Sequence, residues 1–415
     1  MKFQFGKTFL LGLGFFGVSV IWSVYNAFVP VFLADRFLMA AGFIGFFMTL
    51  DNIAALLIQP AVGAWSDRLR TTIGRRMPFI IAGAPLAAVS FILLPLAQSL
   101  WLFFIAATLL LLSMAVWRTP VVALMPDITP SKYRSQANGI INFMGGLGAI
   151  IAFLGGAALY EMDPTYPFWL GAGLVAVSAI LVFLFIKEPQ QFTESGEETP
   201  RLMDSVKYII ADPERSALRM LLAIFFWFIA YNGIEAFFTL YAKNHLGLTE
   251  ADGARLLGQF SLLFVLFSLP SGYIGSALGR KNTIMAGILL MALCVASMFL
   301  LPVNTLTNLI TTLPVLGRVP VIGVILMVAG ISWALININS LPMVVDMTQA
   351  SRIGTYTGLY YLFSTLAAIL GPILYGFIIQ LSGNLYSLVM LVSPLFLILA
   401  LISISGVVRG EAESQ

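Results

Sequence analysis

"QPAVGAWSDRLRTTIGRR", residues 59–76, closes an apolar run and then sets one acid and four arginines, Asp67, Arg68, Arg70, Arg75 and Arg76, within ten positions. Charge is almost absent on either side of it. Greasy runs of helix length flanking a short cationic stretch are the pattern of two membrane-crossing segments and the loop that joins them. Arginine is costly to carry into hydrocarbon, so such a loop stays at the membrane surface.

The whole composition agrees with that reading. Sixty per cent of the 415 residues are hydrophobic and 10% are charged, where soluble domains are about 25% charged. That much apolar sequence exceeds what water-soluble cores can bury, so the chain is expected to be a polytopic, all-α membrane protein. A formal charge of +3 gives no reason to expect nucleic acid as a partner. One cysteine, Cys294, and one histidine, His245, exclude a disulfide frame and a Cys- or His-based metal site. They also leave no nucleophile–base constellation, so neither an enzyme nor a cofactor is expected.

A helix crossing about 30 Å of hydrocarbon needs roughly 20 residues. Apolar stretches of that length fall near 8–34, 40–65, 77–98, 100–126, 136–160 and 166–187, and again near 217–242, 253–278, 283–302, 320–345, 355–380 and 384–408. Twelve transmembrane helices are therefore predicted, in an N-terminal half (1–187) and a C-terminal half (217–415). The polar stretch 188–216 reads as a cytoplasmic linker between the halves. The first run follows Lys2 and Lys7 and is too long for a signal-peptide core, so it is read as a membrane helix. With the N-terminus inside, 17 of the 22 Lys and Arg residues fall on inner loops and termini. The excess of positive charge inside places both termini in the cytoplasm of a bacterial inner or plasma membrane.

The two halves resemble each other. "YNAFVPVFL" from Tyr25 answers to "YNGIEAFFTL" from Tyr231, and "QPAVGAWSDRL…GRR" answers to "LPSGYIGSALGRK" from Leu269. "PDITPSKYRSQANGIINF" from Pro126 answers to "VDMTQASRIGTYTGLYYL" from Val345. Three matches in the same order imply a parallel duplication of six helices, with a binding site near mid-membrane and alternating access.

On these motifs the chain resembles the major facilitator superfamily over its whole length. The superfamily's usual inner loop puts Gly-Arg-Arg a few residues after Asp-Arg. Here five residues separate Asp67-Arg68 from Gly74-Arg75-Arg76, and Pro78-Phe79 follow. That spacing is similar to the plant sucrose carriers and their relatives among the glycoside–pentoside–hexuronide:cation symporters. "ANGIINFMGGLGAI", 137–150, is similar to a stretch of the same carriers, with Asn142 standing at their serine. The resemblance implies proton-coupled sugar symport, with a disaccharide or glucoside such as sucrose or maltose as substrate and a monomer as the working unit. It departs from the melibiose-type relatives, which use acids for sodium where this chain has Gln59, Ala55 and Arg118. A hard cation needs several oxygen ligands, so protons are the expected coupling ion. The plant carriers' acid in the fourth span aligns with Leu111, so their proton site does not transfer.

Three charges fall inside spans: Asp51 in the middle of the second, Arg118 in the fourth and Glu235 in the seventh. Each costs about 2.5–3.5 kcal/mol on translocon scales, so all three are candidates for function, here proton coupling. The structural alternative for Asp51 is an ion pair with Arg118 that fixes helix packing. Glu235 is spaced to share a helix face with Tyr231 and Trp227, beside Asn232. With Tyr25, Asn26, Asn142, Trp333, Asn337, Ser340 and Tyr361 these make a candidate substrate-binding set of amides, hydroxyls and aromatic planes suited to a polyol. The alternative is that the amides join helices and the aromatics pack. At the inner edge, Asp67, Asp127 and Asp346 precede Arg68, Gly74, Arg75, Arg76, Arg134, Arg280 and Arg352, a candidate cytoplasmic gate. The alternative is that these arginines anchor loops to anionic lipid headgroups. A proton-antiport exporter of drugs or metabolites is the rival function, since 17 methionines and many aromatics suit a promiscuous pocket.

Overall fold

The computed structural model describes residues 5–129, 134–188, 214–348 and 352–410. It is mostly helical. In chain order the helices are α1 (Phe5–Val31), α2 (Ala41–Phe47), α3 (Leu50–Arg68), α4 (Met77–Leu93), α5 (Leu100–Ile128), α6 (Arg134–Ile150), α7 (Gly156–Tyr160) and α8 (Tyr166–Phe185). They continue as α9 (Ser216–Asn244), α10 (Glu250–Leu278), α11 (Arg280–Leu300), α12 (Val303–Leu306), α13 (Val321–Val345), α14 (Ile353–Leu381) and α15 (Leu388–Ser405). Two short strands, β1 (Leu309–Leu313) and β2 (Gly317–Pro320), form an antiparallel hairpin.

All twelve apolar runs become helix. Eleven helical stretches among the described residues are long and apolar enough to cross a membrane, and the twelfth run, α4, is a shorter apolar helix of 17 residues. The protein is therefore a multi-pass membrane protein. The linker expected at 188–216 lies outside the described residues except at its two ends.

The second run departs from one continuous helix. It breaks at Met48–Thr49 into α2 and α3. Thr49 turns its hydroxyl back to donate to the Phe46 carbonyl at 2.7 Å, and its own N–H goes to the same oxygen at 3.0 Å. A hydroxyl that bonds back to a carbonyl of its own helix competes with the regular ladder and favours a bend, and the α-helix restarts at Leu50. Asp51 thus stands in the first turn of α3, inside the second span (Ala41–Arg68).

The chain divides into two compact units. The first is built from Met1–Met39, Leu50–Glu194 and Thr249–Gly258, the second from Ala40–Thr49, Ser195–Leu248 and Gln259–Gln415. In the first unit α1 packs on α6 and α8, and α5 packs on α3 and α4. In the second, α9 packs on α14 and α15, α11 on α13 and α15, and α2 on α14. Lipid gives helices no hydrophobic reason to associate, so close approach through small residues does the work. A Cβ on Gly148 would stand 2.6 Å from the Phe16 carbonyl oxygen, and one on Gly83 would stand 2.7 Å from the Trp117 Cβ. In the second unit a Cβ on Gly45 would collide with the Pro372 carbonyl.

Two loop anchors complete the units. Arg36 donates to the Pro95 and Ala97 carbonyls at 2.6 and 3.1 Å. The segment after α15 straps back across the start of the second unit. Arg219 donates to the Gly406 carbonyl, Lys281 to those of Ser405 and Val407, and Val408 N–H to Ser216 Oγ. Arg409 pairs with Glu214, and Val407 is fully buried.

Candidate functional site

The first unit gathers its intramembrane polar groups around α1, α3 and α5. The Asp51 carboxylate accepts from Asn52 Nδ2 at 2.9 Å and interacts with the backbone N–H of Asn52 and with Arg118. A carboxylate at a helix start faces the positive end of the peptide dipoles, which suits an anion there. Asp51 also acts electrostatically on Tyr25. Tyr25 is 1% exposed, and its hydroxyl, like Trp22 Nε1 one turn earlier, is buried with no protein hydrogen-bond partner. The two rings meet edge to face at 5.7 Å. Buried polar atoms are nearly always paired, so these two donors are exceptions to the packing around them. Asn26 follows Tyr25 and is partly exposed. Asn142, on α6, is exposed, and its amide donates to the Asn138 carbonyl at 2.9 Å on its own helix.

The second unit holds an aromatic cluster. Tyr231 lies flat on Trp333, with ring centroids 4.1 Å apart and planes 8° from parallel. Phe228 meets Trp333 edge-on at 5.4 Å, and Phe260 lies 6.2 Å from Tyr231. Tyr360 shares a hydrogen bond of 3.0 Å with Ser340, whose hydroxyl also donates to the Asn337 carbonyl at 2.8 Å. Glu235, one turn beyond Tyr231 on α9, acts electrostatically on it. Trp333 is 5% exposed while Tyr231, Glu235, Asn232 and Asn337 are partly exposed. Trp333 therefore backs a tyrosine ring beside a carboxylate. Trp227 is fully buried, and its Nε1 has no protein partner. Asn232 donates to the Phe228 carbonyl at 2.7 Å, and Tyr361 is 56% exposed.

The charged loop between α3 and α4 condenses within the first unit. Arg75 pairs with Asp127 at 2.7 Å and lies 3.9 Å from Asp67; Arg76 pairs with Asp127 at 3.0 Å and with Asp67, and bonds Ser66 Oγ. Glu188, with its side chain fully buried, accepts from the backbone N–H of Arg76 and Met77 at the start of α4 and lies 3.8 Å from Arg75. Gly74 has φ of +112°, and a Cβ there would run into the Glu188 carboxylate. In the second unit Arg280 pairs with Asp346. Arg68 and Arg352 are exposed, and the side chain of Arg134 lies outside the described residues.

Reasoning from residue types alone passed over several members of these groups. Phe228 and Tyr360 sit in apolar or aromatic runs that give no sign of pairing. Glu188 precedes Pro189 and a polar stretch, so it reads as linker. Asn339, fully inside the second unit, bonds Ser271 and is structural.

The sequence profile of the Major Facilitator Superfamily matches residues 11–325 and 260–414. Among curated proteins, the chain is similar to Multidrug resistance protein 1 of Bacillus subtilis (strain 168), 26% identical over 247 residues, 60% of this chain and 60% of that protein. The match thus spans about three fifths of the Bacillus protein's length. It is similar to the class D tetracycline resistance protein of Salmonella ordonez, 24% identical over 366 residues, 87% of this chain and 86% of that protein. A putative nucleoside transporter, YegT of Escherichia coli (strain K12), is 26% identical over 300 residues, 67% of this chain and 65% of that one. Among solved structures, the nucleoside transporter NupG superposes with a TM-score of 0.74 at 16% identity, covering 97% of this chain and 99% of that chain. The fold is the same.

Proposed function

From its place in the Major Facilitator Superfamily, to which the chain belongs, we propose that this carrier is a proton-coupled sugar symporter of a bacterial inner or plasma membrane, working by alternating access. The observation that carries the reading is the Tyr231–Trp333 stack with Glu235 one turn away. An aromatic face takes the apolar C–H side of a pyranose, and a carboxylate accepts its hydroxyl hydrogen bonds. The Ser340–Tyr360 hydroxyl pair beside the stack adds donors and acceptors of the same kind. The five-residue spacer between Arg68 and Gly74, similar to that of sucrose carriers, supports a glucoside such as sucrose or maltose.

Asp51 is the proposed proton carrier. It is an acid in a membrane-spanning segment, within the electrostatic reach of Arg118 and Tyr25. Proton loss and gain there, exchanging Arg118 between a paired and an unpaired acid, would tie the protonation state to the conformation. One charge moving through 100 mV is worth about 2.3 kcal/mol, which is the work available for accumulation.

The test is uptake of labelled sucrose and maltose into proteoliposomes with an imposed inward proton gradient. Accumulation that collapses with a protonophore and needs no sodium is expected. A second reading, export of amphipathic compounds by proton antiport, is favoured by the ring cluster of Phe228, Tyr231, Phe260, Trp333 and Tyr360 and by the similarity to multidrug and tetracycline resistance proteins. It is adopted instead if sugars fail to move and a hydrophobic cation is extruded under the opposite gradient.

A further inference from the structure

The hairpin between α11 and α13 has no part in the carrier site. We propose that it is an interfacial anchor, seating its exposed apolar residues in the lipid headgroup layer at the end of the second unit opposite Arg280 and Asp346.

Its position follows within the second unit. Arg280 begins α11 and pairs with Asp346 at the end of α13, so those two helix ends share one side. Leu300 and Val321, the other two ends, then share the opposite side, and the hairpin joins them. Strand β2 ends at Pro320, and α13 starts at the next residue. A hairpin leading directly into a membrane-crossing helix lies at headgroup depth.

It is also held in one orientation. Leu309 pairs with Pro320, Thr312 with Arg318 and Leu313 with Gly317. Gln259, reaching across from α10, donates to the Leu316 and Arg318 carbonyls at 3.1 and 2.9 Å. Leu306, Leu316 and Val319 are buried beneath. The remaining apolar residues face outward: Leu309, Ile310, Leu313 and Val315 are 44%, 57%, 41% and 72% exposed. The register slips between Leu309 and Thr311, leaving Ile310 as the extra residue of a bulge.

Water-facing hairpins often guard their edges with charge, and exposed apolar patches mark contact sites. Between residues 301 and 320 the single charge is Arg318, and the other polar groups are uncharged threonines and asparagines. Neutral hydroxyls and amides mixed with Leu, Ile and Val suit the boundary of headgroup and acyl chain.

Spin labels at Ile310→Cys and Val315→Cys, in a Cys294→Ala background and in liposomes, test this. Leu293→Cys, exposed on α11, serves as the lipid-facing reference. Val315, at 72%, is the most exposed of the hairpin's large apolar residues, so labelling it leaves the fold intact; an unchanged size-exclusion profile checks both variants. The expected result is relaxation enhancement by oxygen, with nickel-chelate access several-fold below that of a label free in water. Full nickel access would overturn the anchor by placing the hairpin in water. Exclusion of both reagents with spin–spin broadening would overturn it in favour of contact between two copies of the chain.

Discussion

The backbone N–H of Arg76 donates to both carboxylate oxygens of Glu188, at 2.9 and 3.1 Å, across 112 residues of sequence. Glu188 thereby caps α4 while facing Arg75, and three acids and two arginines around the loop between α3 and α4 form one connected group. Removing an acceptor from a buried donor costs more than the bond was worth, about 1–3 kcal/mol. Glu188→Ala is therefore expected to lower the melting temperature of the purified protein by several degrees, and Glu188→Gln by less, since the amide oxygen still accepts one N–H. Equal melting temperatures for both variants and the parent would remove the cap from the account.

Stacking of Tyr231 on Trp333 makes a separable prediction about binding. Tyr231→Phe keeps the ring pair, worth about 0.5–1.5 kcal/mol beyond area, and is expected to change the KM for sugar by less than about threefold, the smaller side of a 1 kcal/mol effect. Tyr231→Ala removes the platform and is expected to raise KM about tenfold, the equivalent of 1.4 kcal/mol. Initial uptake rates in proteoliposomes decide it, and equal KM values for the two variants would discard the platform.

Asp51→Asn separates coupling from binding. The amide keeps the size and one acceptor of the carboxylate but carries no proton. Sugar exchange across the membrane is expected to survive while accumulation against a gradient is lost. Under the proposed symport, uptake by the parent is expected to rise as the outer pH falls below the inner; the variant is expected to show no such dependence. Parallel loss of exchange and accumulation would instead assign Asp51 to folding or binding.

Packing in the second unit predicts a stability contrast. A Cβ at Gly45 meets the Pro372 carbonyl, whereas one at Gly173 meets nothing within 4 Å. Overpacking a close helix contact costs about 1–3 kcal/mol. Gly45→Ala is expected to lower thermal stability in detergent by that order, with Gly173→Ala indistinguishable from the parent.

Much of this architecture was legible because lipid imposes a simple rule on sequence. Apolar runs of bilayer length, with arginines barred from crossing, were enough to place twelve helices within a few residues. The break at Met48–Thr49 was not legible. No Gly or Pro marks it, and the deciding bond from Thr49 to Phe46 is one that many intact helices also contain. Asp51, Arg118, Glu235, Tyr231 and Trp333 could be named because charge and aromatic planes are conspicuous in greasy sequence. Their pairing could not, since Tyr231 and Trp333 are a hundred residues apart and periodicity speaks only within one helix. Glu188 was hidden for the same reason. The orphan hydroxyl of Tyr25 is a property of its surroundings, invisible in any string of letters.

The strap after α15 bears on how the chain is made. Val408 N–H reaches Ser216 Oγ over 192 residues, and Lys281 waits on the carbonyls of Ser405 and Val407. The first turn of α9 is thus held by residues that follow it by nearly two hundred positions. α9 can insert early, but that end is fastened only after Ser405–Val408 have been made and folded back.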